Sequence, residues 1–176
     1  MLQKQPPTLT ITCGGRPGIE RCVIAAMMDS GWAGYDGYAP MQGWGDSPYL
    51  FDAYPNLKPL DDDTSDDVDN ANMGWTRQAG IAIVTSDGQK NERADHLERQ
   101  ANRMNAGHLI CSPDMLAMQL RNAYLFHGER KSDVRITVIS ALDPDEDTYK
   151  LQERWREPII DAIGEARAIL SRRRIG

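Results

Sequence analysis

Apolar and polar positions along the chain follow two periods in turn. Residues 8–12, TLTIT, are β-branched and bounded by Pro7 and a glycine cluster, which predicts a first, buried strand. Ile19, Val23, Ala26, Met27 and Ser30 then recur at helical spacing, and Gly31 follows as the expected stop. GIAIVTS at 80–86, HLIC at 108–111 and VRITVIS at 134–140 predict three more strands. Between them lie two helical patterns. A polar helix over about 91–105 turns Leu97, Ala101 and Met104 inward. The next opens with Ser112 as N-cap and Pro113 at the first helical position, its inner face being Leu116, Leu120, Ala123 and Tyr124. The last helix presents Trp155, Ile159, Ile163, Ala166 and Leu170 on one side, and Pro158 is expected to kink or restart it.

From Trp32 to Asn72 the periodicity lapses. A short second strand is expected within residues 33–39, and the Gly-, Pro-, Tyr- and Trp-rich remainder as a long ordered loop. DDDTSDDVDN, residues 61–70, is expected to be a solvated loop with a helix N-cap and first turn; its carboxylates lack calcium-loop spacing.

Strands alternating with helices predict the α/β class: a single Rossmann-like domain over residues 1–176, with a mostly parallel sheet flanked by helices on both faces. Ligands of such sheets sit outside the carboxyl ends of the strands. Segments 13–20, 85–87, 111–112 and 140–143 are expected to converge there, with the aromatic loop as a cover.

Composition narrows the function. A hydrophobic fraction of 40% and a net charge of −6 suit a globular protein and argue against general nucleic-acid binding, which needs a basic face. No apolar run is long enough to span a bilayer, and residues 1–7 carry no apolar signal core, so no membrane partner is expected and the cytoplasm is the expected compartment. Cys13, Cys22 and Cys111 form neither a disulfide framework nor paired metal-ligand spacing, and read as buried or semi-buried thiols. No metal site is expected. Eight methionines, among them Met27, Met28, Met115 and Met118, suit a core better than an oligomer interface, although a homo-oligomer remains open.

The candidate chemistry lies in CGGRPGIER, residues 13–21. A helix beginning there offers unpaired N–H groups and a positive dipole end. Gly14, Gly15 and Gly18 let the backbone approach a ligand, and Arg16 and Arg21 can pair with phosphate. The pattern is neither a dinucleotide fingerprint nor a nucleoside-triphosphate loop, and a plain strand-to-helix turn would use similar residues. The ligand reading therefore rests on loop amides left open to an anion.

ITCGGRPGIER, GYDGYAP, YPNLKPL and WTRQAGIAIVTSDG fall in the order and spacing of the molybdenum-cofactor-carrier family. The chain resembles that family over residues 8–87, and through it the SLOG superfamily of Rossmann-like nucleotide-ligand binders, which includes the lonely-guy phosphoribohydrolases. Gly14, Gly15, Gly18 and Arg21 match the family's opening loop, while Arg16-Pro17 replaces Gln-Thr and Glu20 replaces Asp. The phosphoribohydrolase signature PGGxGTxxE is absent. The resemblance implies a Rossmann-like fold, a nucleotide or molybdopterin-like ligand, and association through helices.

Two functions follow as expectations. One is binding of a phosphorylated small molecule, a nucleotide, a nucleotide-derived signal or a pterin-type cofactor, by Gly14, Gly15, Arg16, Gly18 and Arg21. Tyr38 or Trp44 (or Tyr35) would stack on its ring, and Arg77 is a further binding candidate. The other is a hydrolase or transferase acting on a nucleotide's N-glycosidic bond, with Glu20 or Asp87 as the carboxylate at the anomeric carbon and Asp46 as an option.

Overall fold

The computed structural model describes residues 9–30, 34–44, 50–60, 65–74, 81–84, 92–103, 107–130, 134–141 and 148–175. In chain order these form β1 (Leu9–Thr12), α1 (Ile19–Ser30), β2 (Gly34–Pro40), α2 (Leu50–Ala53), β3 (Leu57–Leu60) and α3 (Ser65–Gly74). There follow β4 (Ile81–Val84), α4 (Glu92–Arg103), β5 (Gly107–Ile110), α5 (Pro113–Arg130), β6 (Val134–Ser140) and α6 (Thr148–Ile175). The six strands make one sheet in the order β3-β2-β1-β6-β4-β5, and every pairing is parallel. The expected Rossmann-like α/β domain is what forms.

Crossovers between parallel strands are right-handed, so the direction of each step decides which face its helix covers. β1 to β2 and β5 to β6 step one way, and α1 and α5 share a face; α6 packs between them. β3 to β4 and β4 to β5 step the other way, and α3 and α4 cover the opposite face. Two apolar cores result. The larger joins Ile11, Tyr35 and Val138 to Val23, Leu116, Leu120, Trp155, Ile159 and Ile163. The smaller joins Ile139 to Met73, Ala94, Leu97 and Ala101.

Strand alternation sets the composition of each face. Thr12 lies level with Asp36 on one side and Thr137 on the other, so the central strands turn polar side chains toward the α3 and α4 face. Asp36 there receives hydrogen bonds from Thr12 Oγ1 and from the Arg135 guanidinium, each at 2.7 Å.

Several boundaries agree with the sequence pattern: β6 spans residues 134–140, and Ser112 caps α5 by accepting the Met115 amide at 3.2 Å. Others need correction. The stretch expected to be loop contains α2 and β3, and the helix turn expected within residues 61–70 extends into the ten-residue α3. α6 runs as one 28-residue helix through Pro158 rather than restarting. Of the methionines expected to be core, Met27 is buried but Met28, Met115 and Met118 are exposed. None of the three cysteines is in a disulfide, and Cys13 and Cys22 are buried. Burial pushes the Cys22 thiol up to about 12 and raises Cys13 as well. Among the described residues no helix is long and apolar enough to cross a membrane, and no group of three or more His, Cys, Asp or Glu is placed to hold a metal.

Candidate functional site

β1 and β4 are the strands from which the sheet grows in opposite directions, and β6 lies between them. Their carboxyl ends form the crevice where such sheets take ligands. β1 ends in Cys13 and Gly14, leading to α1; β6 ends at Ser140; the chain after β4 leads to Arg93 in the first turn of α4.

Glu20 lies in the first turn of α1 and is 1% exposed. Its Oε1 accepts the Gly14 amide at 2.8 Å. Its Oε2 accepts Arg16 Nη1 at 3.1 Å and the Ser140 amide at 3.2 Å. One buried carboxylate therefore gathers donors from the β1–α1 loop, from the end of β6 and from a guanidinium. The dipole at the start of α1 favours a negative charge at this position.

Arg16, 5% exposed, continues the network. Nη1 also donates to the Ser140 carbonyl at 3.1 Å, and Nη2 approaches Asp69 Oδ1 at 3.5 Å. Its guanidinium carbon lies 4.4 Å from the centre of the Trp44 ring, whose Nε1 donates to the Gly14 carbonyl at 2.9 Å. Trp44 thus packs over the β1–α1 loop. Asp69, in the middle of α3, receives Arg93 Nη2 on Oδ2 at 2.6 Å. Burial pushes the Asp69 carboxyl above its ordinary value of 3.8, and the attraction of Arg16 and Arg93 does not offset it. Arg93 reaches the Ser140 carbonyl at 3.4 Å and is the most exposed member of the four-charge cluster.

Two glycines are fixed by geometry. Gly15 has φ +68°, and a Cβ there would fall 2.5 Å from Leu57 Cδ1. Gly37, at φ +149°, passes so close to the Cys13 carbonyl that a Cβ would land on its oxygen. Asn72 anchors the neighbouring stretch of β2: its Oδ1 accepts the Tyr38 amide at 2.8 Å and its Nδ2 donates to the Tyr38 carbonyl at 3.1 Å.

The expectation of open loop amides is corrected at Gly14. The Gly14 amide is held by Glu20, and Arg16 is buried against two carboxylates and a ring rather than facing solvent. Arg21 Nε donates to the Gly15 carbonyl at 2.8 Å, so it braces the loop from outside. Gly18 is buried, with φ +102°. Glu20, expected as a carboxylate at an anomeric carbon, has both oxygens engaged. Tyr35 belongs to the large core, packed edge-on to Tyr54; Trp44 is half-buried over the β1–α1 loop, and Tyr38 is half-buried in the C-terminal part of β2. Arg77, Asp46 and Asp87 lie outside the described residues.

Asp69, Asn72 and Arg93 were missed in the sequence. A signal existed: Val68, Asp69, Asn72 and Met73 form one face of α3 at i, i+1, i+4, i+5 spacing, so two polar residues share the stripe of two core residues. The aspartate-rich run around them concealed it.

Against known proteins, the fold finds a counterpart. A crystal structure of a protein provisionally named a molybdenum carrier, from Syntrophus aciditrophicus SB, matches with a TM-score of 0.54 at 14% identity, over 89% of this chain and 98% of that one. The likeness is one of fold. No family profile matches the sequence. No curated protein matches it either.

Proposed function

We propose that the crevice over β1, β6 and β4 binds a phosphorylated small molecule, a nucleotide, a nucleotide-derived signal or a pterin-type cofactor, and that the Glu20 carboxylate holds the place its phosphate takes. The observation that supports this most is the donor set on Glu20: two backbone amides from distant loops and one guanidinium, all buried. A phosphate oxygen asks for the same partners. The cluster as it stands is balanced, two arginines against two carboxylates, so an incoming dianion must displace Glu20. Arg93, nearest to solvent, makes the first contact, and Trp44 and Tyr38 flank the ligand's ring. Arg16, Gly14, Gly15 and Gly18 form the floor that the phosphate reaches after the exchange, and Arg21 keeps that floor in shape. Arg77 is a further candidate for the same ligand. The name of the Syntrophus protein suits the pterin arm of this reading.

N-glycosidic cleavage by Glu20 would need one of its oxygens turned to an anomeric carbon. In the resting cluster both are held by donors, and the exchange with phosphate leaves no group among the described residues to fix the released carboxylate at an anomeric carbon, so ligand binding without base release is the expected behaviour.

Calorimetry and thermal shift against nucleoside monophosphates, cyclic and linear dinucleotides and a phosphorylated pterin test the proposal on the wild type, Glu20→Gln and Arg93→Ala. One class of ligand is expected to bind the wild type. Glu20→Gln removes the competing charge and tightens binding about tenfold, while Arg93→Ala weakens it by about the same factor, each the size of one charge-assisted contact. Absence of binding by both the wild type and Glu20→Gln across the panel overturns the reading.

A further inference from the structure

The two carboxylates of the four-charge cluster are held in different ways. Glu20 stands at the start of α1, next to the glycine loop. Asp69 lies in the middle of α3, on the face that also buries Val68, Asn72 and Met73, and is 3% exposed. Its Oδ2 takes Arg93 Nη2 at 2.6 Å, while Oδ1 has only a long contact, 3.5 Å, to Arg16 Nη2. An anion that displaces Glu20 therefore leaves Asp69 in place, beside the guanidinium that the anion engages.

Charge balance then depends on the anion. At rest two guanidinium groups face two carboxylates, and the cluster is neutral. Burial enforces neutrality, because an uncompensated charge out of water is strongly disfavoured. Once a dianion has replaced Glu20, three negative charges face two positive ones. One proton restores the balance, and Asp69 is the carboxylate that stays to accept it. A monoanion in the same place leaves two charges against two and calls for no proton.

The surroundings of Asp69 set the direction. Drawing Arg16 toward the anion removes an attraction, and the anion itself adds a like charge; both favour the neutral carboxyl. Burial has already raised this group above its ordinary value of 3.8. On the strands packed against α3, the charged residues are Asp36 of β2 and Arg135 of β6, joined to each other at 2.7 Å, and Tyr38 is a further titratable group on β2. Asp66 and Asp67 precede Asp69 along α3. Near Arg93 on α4, Glu92 and His96 are exposed and Asp95 is half-buried.

We infer, resting on the binding reading above, that Asp69 takes up one proton from solvent when a dianion enters the crevice and none when a monoanion does, so that binding of a doubly charged terminal phosphate, but not of a phosphodiester, tightens as pH falls. Oδ2 stays with Arg93, and Oδ1 carries the proton. A protonated carboxyl is also a donor, so Oδ1 then offers the anion a hydrogen bond where the carboxylate repelled it. The site thereby reads the charge of its ligand. A terminal phosphomonoester is a dianion above its second ionisation, at about pH 6, whereas each phosphate of a diester carries one charge at any neutral pH.

Titration calorimetry on the full chain at constant ionic strength, in two buffers of different ionisation enthalpy, tests this with two simple probes. Inorganic sulfate is a dianion that does not itself titrate near neutrality, and dimethyl phosphate is a monoanion. Sulfate should bind the wild type with uptake of about one proton, its Kd rising by up to about tenfold for each unit as pH climbs from about 6 to 8. Dimethyl phosphate should bind with no uptake and a flat pH profile. Asp69→Asn, which keeps the shape of the neutral carboxyl, should lose the uptake and bind sulfate more tightly than the wild type at the upper end of that range. Circular dichroism confirms its fold. Glu20→Gln should keep the uptake, which separates Asp69 from the displaced carboxylate. Sulfate binding by the wild type without uptake overturns the inference, as does uptake that persists in Asp69→Asn or vanishes in Glu20→Gln. Failure of sulfate to bind the wild type and Glu20→Gln overturns it too. The binding reading itself falls only if the nucleotide and pterin panel also fails.

Discussion

The central strands present different chemistry to their two sides. Toward α1, α5 and α6 they offer Ile11, Tyr35 and Val138, which join one continuous apolar core. Toward α3 and α4 the same strands offer Thr12, Asp36, Arg135 and Thr137, and only Ile139 joins the smaller core. Apolar burial is non-directional and tolerates repacking. Buried charge is unforgiving, because each group left without a partner costs its full desolvation. One side therefore supplies adhesion, while the polar side contributes Asp69, Asn72 and Arg93 to the crevice.

This contrast can be broken at graded cost. Arg16→Ala leaves Glu20 and Asp69 buried without their cation and should destabilise the fold by about 4 kcal/mol in urea unfolding, while abolishing ligand binding. Ile163→Ala, in the apolar core, should cost about 3 kcal/mol by transfer and cavity terms and leave ligand affinity unchanged. If Ile163→Ala proves costlier than Arg16→Ala, the adhesive side dominates at the site as well. Asp36→Ala breaks the pair with Arg135, where the two side chains are 22% and 31% exposed and solvent screens the loss; about 1 kcal/mol is expected.

The finest test is pH. Because burial raises the Asp69 carboxyl, the native state holds its proton more tightly than the unfolded chain does. The contribution is thus fully present below the ordinary value of 3.8 and is lost as pH rises through the raised one. The stability of the wild type relative to Asp69→Asn should fall as pH climbs from about 4, then level off. A difference that is flat or rising across that range would show that the two arginines outweigh burial.

The apolar side was legible in the sequence because its rule is periodic. VRITVIS gave β6 to the residue, and the spacing of Trp155, Ile159, Ile163 and Ala166 gave the face of α6 that enters the core. The site was legible only where it touched that rule. Gly14, Arg16 and Glu20 were located by the strand–glycine–helix passage, but their mutual pairing was not, since ion-pair geometry leaves no periodic trace. α3 was obscured because Asp69 and Asn72 occupy core-facing positions, where a hydrophobic pattern has no place for them. Of the two outcomes expected at Pro158 the restart does not occur: α6 is wedged between α1 and α5, and that packing carries the helix through a residue that would break it in isolation.

The position of β6 has a consequence for biosynthesis. It is the last of the six described strands to leave the ribosome, yet it sits in the middle of the sheet. Until residues 134–140 emerge, β1 to β3 and β4 to β5 are two separate ribbons, each with a bare edge of the kind that recruits other chains. Glu20 waits for the amide of Ser140, 120 positions downstream, before its shell is complete. A nascent chain halted short of that point would carry a half-assembled crevice and two exposed edges, and would be a substrate for chaperones.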